Sequence, residues 1–381
     1  MKVYGIVCEC NPFHRGHQKI IQTAREYGAD AVIGVMSGDF VQRGEPAITS
    51  KFGRAEQMAR HGFDLVIELP ARFVLSSAQR FSAGAVKILN DIGVVDTLLF
   101  GSECGSVQRM EDVVQLLLSK EIEDRIKDRQ EEGESYPVAR ENVVREELGD
   151  DYVSVLQGGN NLLGIEYLRT VRMTDSNLKV ETFRREEDGL TAHLARELLK
   201  KGEDVSGILP EDSDFSCSYE NPIDERIFER AVLMRLREMK EQDFASLEDI
   251  SGGLDMRLYK ASRSAASLEE LYGSVKTKRY TMSRVKRTTL RAALQLKGSS
   301  DMDPPYARVL AIGEKGTDVL GEMKKEAKIP FGDSLKSLAQ TSPFADAFAE
   351  EERRATDFYN LNRVRPLPVG EDFTHRLFVL K

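Results

Sequence analysis

The chain has 381 residues, of which 41% are hydrophobic and 31% are charged. This composition is too apolar for a disordered protein, and the length suffices for two domains with sizeable cores. No apolar run approaches the roughly 18–20 residues of a membrane-spanning helix, and the N-terminal apolar stretch is too short for a signal peptide. Four scattered cysteines are too few for a disulfide framework, and the net charge of −9 argues against indiscriminate binding to nucleic acid. We expect a globular, cytoplasmic protein with reduced thiols and no membrane association.

The first 120 residues alternate short apolar runs with amphipathic segments. Strands are predicted at residues 3–7, 31–36, 65–69 and 97–100, and crossover helices at residues 17–27 and 76–89. This alternation is typical of βαβ units, in which helices cover both faces of a parallel sheet. The sequence therefore predicts an α/β fold with a Rossmann-like parallel sheet.

The remainder of the chain has a mainly helical pattern. Charge-rich residues 111–151 predict solvated helices inserted after the fourth strand. Further elements are predicted as helices at 162–173, 192–201, 224–240 and 282–296, and as strands at 180–183 and 308–312. Because residues 202–222 are rich in Gly, Pro, Ser and acidic side chains, we expect a domain boundary there. The predicted division is a nucleotide-binding catalytic domain at 1–205 and a mainly helical domain at 206–381.

Residues 9–17 (ECNPFHRGH) connect the first predicted strand to the first predicted helix. Ligands of open α/β folds bind at this carboxyl edge of the sheet. Gly16 lets the backbone approach a ligand closely, and the helix N-terminus directs unpaired N–H groups at an anion. His14 and His17, three residues apart, lie on one helix face and can donate hydrogen bonds to one phosphate. Their predicted role is to stabilise charge on an α-phosphate during adenylyl transfer.

Two other interpretations fit the residues of this turn. The histidines could be purely structural, and this alternative stays open for a bare His-x-Gly-His pattern. A zinc site with Cys8 and Cys10 would use suitable residue types, but too little chain follows Cys10 to close a tetrahedral cage, so no metal ligand is assigned. The sequence contains neither a Walker pattern nor a Gly-x-Gly-x-x-Gly after a strand, so any ATP would be held by the histidine turn.

Six segments spread along the chain carry a more specific pattern. They are residues 11–17 (NPFHRGH), 36–47 (MSGDFVQRGEPA), 64–70 (DLVIELP), 100–103 (FGSE), 160–167 (NNLLGIEY) and 276–280 (KTKRY). In this order they resemble the bacterial tRNA(Met) cytidine acetate ligases, which belong to the HIGH-motif nucleotidyltransferase superfamily. The resemblance spans most of the chain, whereas the His-x-Gly-His element alone would indicate only the superfamily.

The resemblance implies a ligase that uses ATP and Mg²⁺ to activate acetate as acetyl-adenylate. The acetyl group would then pass to N4 of the wobble cytidine of elongator tRNA(Met). By position, His14 and His17 would be catalytic. The implied ATP-binding residues are Val7, Cys10, Asn11, Pro12, Phe13, His14, Gly16, His17, Ile20, Gly101, Asn160, Arg184 and Arg185. The forked guanidinium of arginine suits phosphate oxygens, and the Asn160 amide can hydrogen-bond to a base or a ribose. The alternatives are that Gly101 and Asn160 are simple turn residues and that the two arginines lie at a solvated strand end.

The sequence departs from the family pattern at several positions. Relatives usually have Tyr at the position of Cys10, Asn at Arg15 and Pro at Gly159. Residues 189–196 (GLTAHLAR) replace a Ser-Ala-Thr-x-Ile-Arg element that follows a longer loop in relatives. Arg196 is retained from that element and is a candidate phosphate ligand, with a position on the helix surface as the alternative.

Residues 276–297 contain eight cationic and no acidic side chains, which is exceptional in an acidic protein. Such a stretch can neutralise phosphates, and a tyrosine among the cations could stack on an unpaired base. The predicted tRNA-binding residues are Lys276, Lys278, Arg279, Tyr280, Arg284 and Arg287. The alternative is that the basic side chains extend their stems over the second domain.

Two other functions fit parts of the sequence. A small-molecule adenylyltransferase of the same superfamily would need no tRNA, so the acid-free basic stretch argues against it. A non-catalytic RNA-binding protein with a decayed nucleotide site would explain the altered element at 189–196, but the retained His14, Gly16 and His17 oppose it.

Overall fold

The computed structural model describes residues 1–185, 191–211, 221–247, 250, 252–278, 280–296 and 303–381. Its strands are β1 (Val3–Cys8), β2 (Ala31–Ser37), β3 (Phe40–Val41), β4 (Glu45–Pro46), β5 (Leu65–Leu69), β6 (Thr97–Ser102), β7 (Lys179–Arg184), β8 (Ala307–Ile312), β9 (Phe331–Gly332) and β10 (Phe378–Val379).

The helices before residue 211 are α1 (Arg15–Glu26), α2 (Lys51–Arg60), α3 (Ala71–Val74), α4 (Ala78–Asp91), α5 (Val107–Leu117), α6 (Lys120–Glu131), α7 (Tyr136–Leu148), α8 (Asp150–Val153), α9 (Gly159–Met173) and α10 (Ala192–Lys201). Those after residue 221 are α11 (Glu225–Glu238), α12 (Glu241–Ala245), α13 (Leu254–Ser264), α14 (Leu268–Val275), α15 (Met282–Ala293), α16 (Gly316–Glu326), α17 (Leu335–Ala339), α18 (Pro343–Leu361) and α19 (Glu371–Thr374). Within the described ranges, no helix is long and apolar enough to cross a membrane.

Five parallel strands form the centre of the sheet, in the order β5-β2-β1-β6-β7. Every residue of β2 and β5 is buried, because apolar side chains pack against both faces of these strands. Side chains alternate between the faces: Ile33 belongs to one apolar core and its neighbour Val32 to the other. The predicted α/β class with a parallel sheet is confirmed.

The charge-rich segment after β6 forms helices α5 to α8, as the sequence predicts. Arg125 of α6 forms ion pairs with Glu146 and Glu147 of α7 at 2.9 and 2.5 Å. Ile122 and Ile126 face inward and pack in a small apolar cluster. Partly exposed ion pairs contribute little to stability. The insertion is attached mainly by Val113, Val144 and Val155, which are buried in the large apolar core that covers one face of the sheet.

Helices α11 to α15 pack around an apolar core of their own. Val232, Leu258 and Leu290 are fully buried in this core. Phe40 of β3 and Tyr359 of α18 belong to the same cluster, and their rings meet edge to face with centroids 6.2 Å apart. The helical region is therefore packed directly against the elements around the sheet.

The C-terminal part of the chain returns to the sheet. Strand β8 pairs antiparallel with β5, and β9 and β10 both pair parallel with β8. All six residues of β8 are buried, and its backbone groups are satisfied by pairing with β5 on one side and with β9 and β10 on the other. The strand predicted at 308–312 is confirmed, but residues 303–381 contribute strands to the sheet rather than only helices to a separate domain. The boundary near residue 205 stays a prediction.

Buried charges hold this returning segment in place. Lys51 of α2 donates to Glu68 Oε1 and to Asp372 Oδ1, each at 2.7 Å, and its side chain is 1% exposed. Arg308 of β8 donates to Glu68 Oε2 at 3.1 Å and also contacts Asp372. Burial alone would raise the pKa of Asp372, but Lys51 and Arg308 outweigh it and hold that pKa below its usual range. The cluster joins α2, β5, β8 and α19 through two cations and two carboxylates.

Replacing Lys51 by Met should lower the free energy of unfolding by about 3–5 kcal/mol, because Glu68 and Asp372 would lose one of their two buried cations. Urea-induced unfolding followed by circular dichroism measures this change. Lys325→Met is the matched control, since Lys325 is 65% exposed and pairs with Glu322 on the surface. It should change stability by no more than about 0.5 kcal/mol. Equal effects of the two substitutions would contradict the role of the buried cluster.

Candidate active site

The turn after β1 is built around the N-terminus of α1. The Asn11–Pro12 peptide bond is cis, and α1 begins at Arg15. His14 is the N-cap residue: its Nδ1 accepts from the Gly16 N–H at 2.9 Å, and the His14 N–H donates to His17 Nδ1 at 3.2 Å. A Cβ on Gly16 would lie 2.6 Å from His14 Cε1, so a side chain there would displace the ring. The sequence folds into a reciprocal cap in which the histidines take the places of the usual Ser and Glu.

These backbone hydrogen bonds determine the protonation of both imidazoles. A ring that accepts at Nδ1 is neutral and carries its proton on Nε2. Burial lowers the pKa of His17 well below its usual range, and the nearby His14 and Arg185 lower it further. The ring centroids of His14 and His17 are 4.1 Å apart. The arrangement therefore provides two neutral Nε2–H donors beside the positive end of α1.

Phe13 fixes the orientation of the His17 ring. Its ring stacks on His17 at a centroid distance of 5.4 Å and on His61 at 5.1 Å. Phe13 is only 2% exposed, so the stack cannot rearrange without opening the apolar core beneath it. Ile20, one turn further along α1, belongs to the same core. Phe13 and Ile20 thus anchor the turn to this apolar core.

Two more of the predicted ATP-binding residues lie on the chain that enters the turn. Val7 of β1 pairs with Val35 of β2, and its side chain is half-buried. Cys10 is buried with a φ of 45°, and its thiol donates to Cys8 Sγ at 3.4 Å. Both cysteines are free thiols. Contact of these residues with ATP stays a prediction.

Arg54 of α2 was missed by the sequence analysis and organises the edge of the sheet. This guanidinium is 1% exposed and donates to the carbonyl oxygens of Glu9 at 2.6 Å and Ser37 at 3.0 Å, and also to Gly38. Its Nε donates to the Thr49 carbonyl at 3.2 Å. One side chain thus ties the carboxyl ends of β1 and β2 together. Arg54 lies on the buried face of α2 between Lys51 and Gln57, so a helix face that mixes polar and apolar side chains gave no clear signal of its role.

Gly101, Arg184 and Arg185 lie at the carboxyl ends of β6 and β7. A Cβ on Gly101 would lie 2.9 Å from Arg185 Cγ, so the glycine leaves room for the stem of Arg185. The Arg185 side chain approaches His17 closely enough to lower its pKa. Arg184 is exposed and packs its Cβ over Gly105. The structure thus brings Gly101, Arg185 and the histidine turn together at one edge of the sheet.

Asn160 has a partner that the sequence analysis did not assign. Its Nδ2 donates to Glu103 Oε1 at 2.8 Å, and the Asn161 N–H donates to Glu103 Oε2 at 2.8 Å. Asn161 Oδ1 in turn accepts from the Cys104 N–H at 3.1 Å. Glu103 therefore covers the N-terminus of α9 and holds the Asn160 amide. A contact between Asn160 and ATP stays a prediction.

The altered element at 189–196 lies partly outside the described residues, which resume at Thr191. Thr191 caps α10 by accepting from the Leu194 N–H at 3.2 Å. Arg196 does not extend into solvent, since its Nη1 donates to the Asn11 carbonyl at 2.6 Å. This position places Arg196 over the turn, although binding of phosphate by its guanidinium stays a prediction.

Helix α10 and the loop that follows it cover the histidine turn from outside. Ala195, Ile208 and Leu209 form an apolar cluster with Ile48. The Arg15 N–H donates to the Ile208 carbonyl at 3.0 Å. This segment encloses the N-terminus of α1 on the side away from the sheet.

The basic stretch divides into exposed and engaged side chains. Lys276 and Lys278 are exposed, and Arg279 lies outside the described residues. Tyr280 is 4% exposed and donates its hydroxyl to the Gly252 carbonyl, so its ring cannot stack on a base in this conformation. That prediction is corrected: the ring fills the apolar core of the helical region. The Arg284 guanidinium lies over the same ring, 5.5 Å from its centroid.

Two further arginines of the stretch bind protein groups. Arg287 donates to the Gln42 carbonyl at 3.1 Å. Arg291 is 1% exposed and donates to the Arg72 carbonyl at 2.9 Å. Among the described cations of this stretch, Lys276 and Lys278 are the exposed ones, and Arg287 is half-buried. Contact of Arg284 and Arg287 with tRNA stays a prediction.

The parallel sheet, the glycine at the N-terminus of α1 and the paired Nε2–H donors define an α/β nucleotide-binding domain of the HIGH type. The family model of the HIGH Nucleotidyl Transferases matches residues 1–367. The chain is 33% identical to the tRNA(Met) cytidine acetate ligases of Acetivibrio thermocellus and of Thermoanaerobacter sp., over alignments of 417 and 406 residues that cover all of each chain. It matches the crystal structure of Thermotoga maritima TmcAL bound with alpha-thio ATP with a TM-score of 0.92, 30% identity and full coverage of both chains. The chain therefore belongs to the tRNA(Met) cytidine acetate ligase family.

At pH 7, ¹⁵N spectra of His17 should show the Nε2–H tautomer and no titration near the ordinary histidine value of about 6.5, because burial and its neighbours disfavour the cation. The unfolded chain takes up this proton near that value and the folded chain does not. The free energy of unfolding should therefore decrease as the pH falls below about 6.5 toward the lowered pKa of His17 in the folded protein. A protonation midpoint near 6.5 for His17, or a proton on Nδ1, would contradict the hydrogen-bond pattern of the turn.

Proposed function

We propose that this chain is an ATP-dependent ligase that acetylates N4 of the wobble cytidine of elongator tRNA(Met), with acetate as the acyl source. Full-length relatives named tRNA(Met) cytidine acetate ligase support this proposal, as does a neighbour that binds an ATP analogue. The observation that carries the mechanism is the pair of neutral Nε2–H donors at the N-terminus of α1. A tRNA substrate implies a cytoplasmic location.

The first step forms acetyl-adenylate. A carboxylate oxygen of acetate attacks the α-phosphorus of ATP, the bond from that phosphorus to the oxygen it shares with the β-phosphorus breaks, and pyrophosphate leaves. His14 and His17 would donate from Nε2 to the non-bridging oxygens on which charge accumulates. The Arg185 guanidinium would bind phosphate oxygens from the opposite side. Because these groups are already held by backbone hydrogen bonds, little reorganisation is needed as charge develops.

Magnesium would reach the site with the nucleotide. The described part of the chain contains no group of three or more His, Cys, Asp or Glu side chains arranged to hold a metal ion. Mg²⁺ commonly binds through substrate phosphates together with few protein ligands. Bound in this way, it would offset phosphate charge during the attack by acetate.

The second step transfers the acetyl group. The N4 amine attacks the acetyl carbon, the bond from that carbon to the AMP oxygen breaks, and the amine releases a proton to solvent. A wobble base in an anticodon loop can be presented to the site more easily than a base in a duplex. The exposed Lys276 and Lys278 would bind the phosphates of the tRNA.

His17→Ala should lower tRNA acetylation by about 10²–10³-fold, because the adenylate-forming step loses a preorganised donor. The measurement is transfer of radiolabel from acetate to bacterial tRNA in the presence of ATP and magnesium. Gln22→Ala is the control, since Gln22 is an exposed residue of the same helix. It should retain wild-type activity.

Three results would distinguish the competing functions. Label on tRNA that requires both ATP and His17 supports the ligase. Release of pyrophosphate without labelled tRNA would favour a small-molecule adenylyltransferase. Binding of tRNA without either signal would favour an RNA-binding protein with a decayed nucleotide site.

Lys278→Ala should weaken tRNA binding and reduce the slope of log K against log salt by about 1, as expected when one phosphate contact is lost. Filter binding at several salt concentrations measures both quantities. Lys336→Ala removes an exposed lysine outside the basic stretch and should leave the slope unchanged. An unchanged slope for Lys278→Ala would remove this lysine from the tRNA interface.

A further inference from the structure

A short hairpin lies between the histidine turn and helix α15, which carries part of the basic stretch. It consists of β3 and β4, whose residues Phe40 and Val41 pair with Pro46 and Glu45. Its residues lie outside the predicted ATP-binding and tRNA-binding sets. Its contacts on both sides nevertheless connect the two regions.

On one side the hairpin rests on the backbone of α15. Gly44 has a φ of 79°, and a Cβ there would lie 2.5 Å from the Arg287 backbone nitrogen. Lys286 donates to Glu45 Oε1 at 2.5 Å, and Arg287 donates to the Gln42 carbonyl at 3.1 Å. Contacts at Gln42, Gly44 and Glu45 therefore set the distance between α15 and the tip of the hairpin.

On the other side the hairpin is bonded to the residue that begins the histidine turn. The Gln42 N–H donates to Glu9 Oε1 at 2.7 Å, and the Glu9 carbonyl accepts from the buried Arg54 at 2.6 Å. The Ala47 carbonyl accepts from the hydroxyl of Tyr359 at 3.0 Å, which ties the base of the hairpin to α18. The hairpin is thus a rigid spacer between Glu9 and α15.

We propose that residues 42–45 are positioning residues for acyl transfer: through α15 they set the distance between the acetyl-adenylate and a tRNA held by Lys276 and Lys278, which lie just before α15. This inference rests on the proposed function and adds a role for a segment outside both binding sites. Formation of the adenylate needs only the histidine turn, whereas transfer needs N4 and the acetyl carbon to meet. A displacement of α15 should therefore affect transfer and leave adenylate formation intact.

Gly44→Ala tests the spacing directly. The new Cβ would have to move about 1 Å away from the α15 backbone to reach an ordinary contact distance. A displacement of this size can lower a rate by about 100-fold when two reacting groups must align. We expect acetate-dependent ATP–pyrophosphate exchange within about twofold of wild type, and single-turnover acetyl transfer to tRNA slower by about 100-fold.

Gly133→Ala is the matched control for backbone strain. Gly133 has a φ of 108°, and a Cβ there would meet no atom within 4 Å. An alanine at position 133 is therefore strained by a positive φ, as it is at position 44, but its Cβ contacts no neighbour. Both reactions should stay within about twofold of wild type in this variant.

A charge exchange tests the Glu45–Lys286 contact separately from the Gly44 contact. Glu45→Lys places two ammonium groups together and should slow transfer several-fold, because like charges at contact distance repel. Adding Lys286→Glu restores an opposite pair with unchanged net charge and should restore the transfer rate. Recovery of the transfer rate in the double variant would show that the ion pair itself matters. If either charge acted separately by binding tRNA, exchanging the two charges would not restore the rate.

The outcomes separate this inference from the proposed function. If the wild-type protein exchanges pyrophosphate but never labels tRNA, the proposed acceptor is wrong and this inference falls with it. If wild type labels tRNA but Gly44→Ala slows exchange and transfer equally, the hairpin supports the fold and the positioning role is refuted. Unimpaired transfer in Gly44→Ala, or failure of the charge exchange to rescue Glu45→Lys, would also refute it.

Discussion

The candidate site depends on one buried guanidinium, that of Arg54. Strands of a parallel sheet end with carbonyl groups that need hydrogen-bond donors, and here the ends of β1 and β2 lie beside a turn that must stay in one place. Arg54 binds the carbonyl oxygens of Glu9, Ser37 and Gly38 at once, because its planar fork holds several N–H donors in fixed directions. A lysine has one mobile ammonium and could not bridge these groups in the same way. The histidine cap and the hairpin contact at Glu9 both start from the backbone that Arg54 fixes.

Local patterns in the sequence predict the parallel sheet and the histidine turn because their causes act over short distances. Apolar runs specify β1, β2, β5 and β6 separately, and Gly16 with its flanking histidines forms a cap within four residues. The pairing of β8 with β5 has no such local cause. It depends on Arg308 reaching Glu68, 240 residues away in the chain, through a cluster that also needs Lys51 and Asp372. The pattern of β8 alone predicts a strand but not its neighbour.

The same limit applies to the functional residues. Tyr280 lies among cations in the sequence, which suggested an exposed ring, but the guanidinium of Arg284 covers one side of that ring and its hydroxyl reaches Gly252. An aromatic ring between cations is compatible with either arrangement, because the stems of arginine and lysine cover apolar surface as readily as their charges face solvent. Glu103 was missed for a related reason: it acts on backbone groups at Asn160 and Asn161, 57 and 58 residues later.

The hydrogen bonds that cap α1 also decide the chemistry available to the histidines. Since Nδ1 of each ring is occupied by a backbone N–H, each ring can act toward phosphate only as a neutral donor through Nε2. A cation would attract the triphosphate before reaction as well as during it, and such uniform attraction does not lower the barrier of the chemical step. A neutral donor at fixed distance acts mainly where charge accumulates, on the α-phosphate oxygens. In the proposed mechanism the same two rings cap α1 and donate to phosphate, so a substitution that breaks the cap would also change the tautomer.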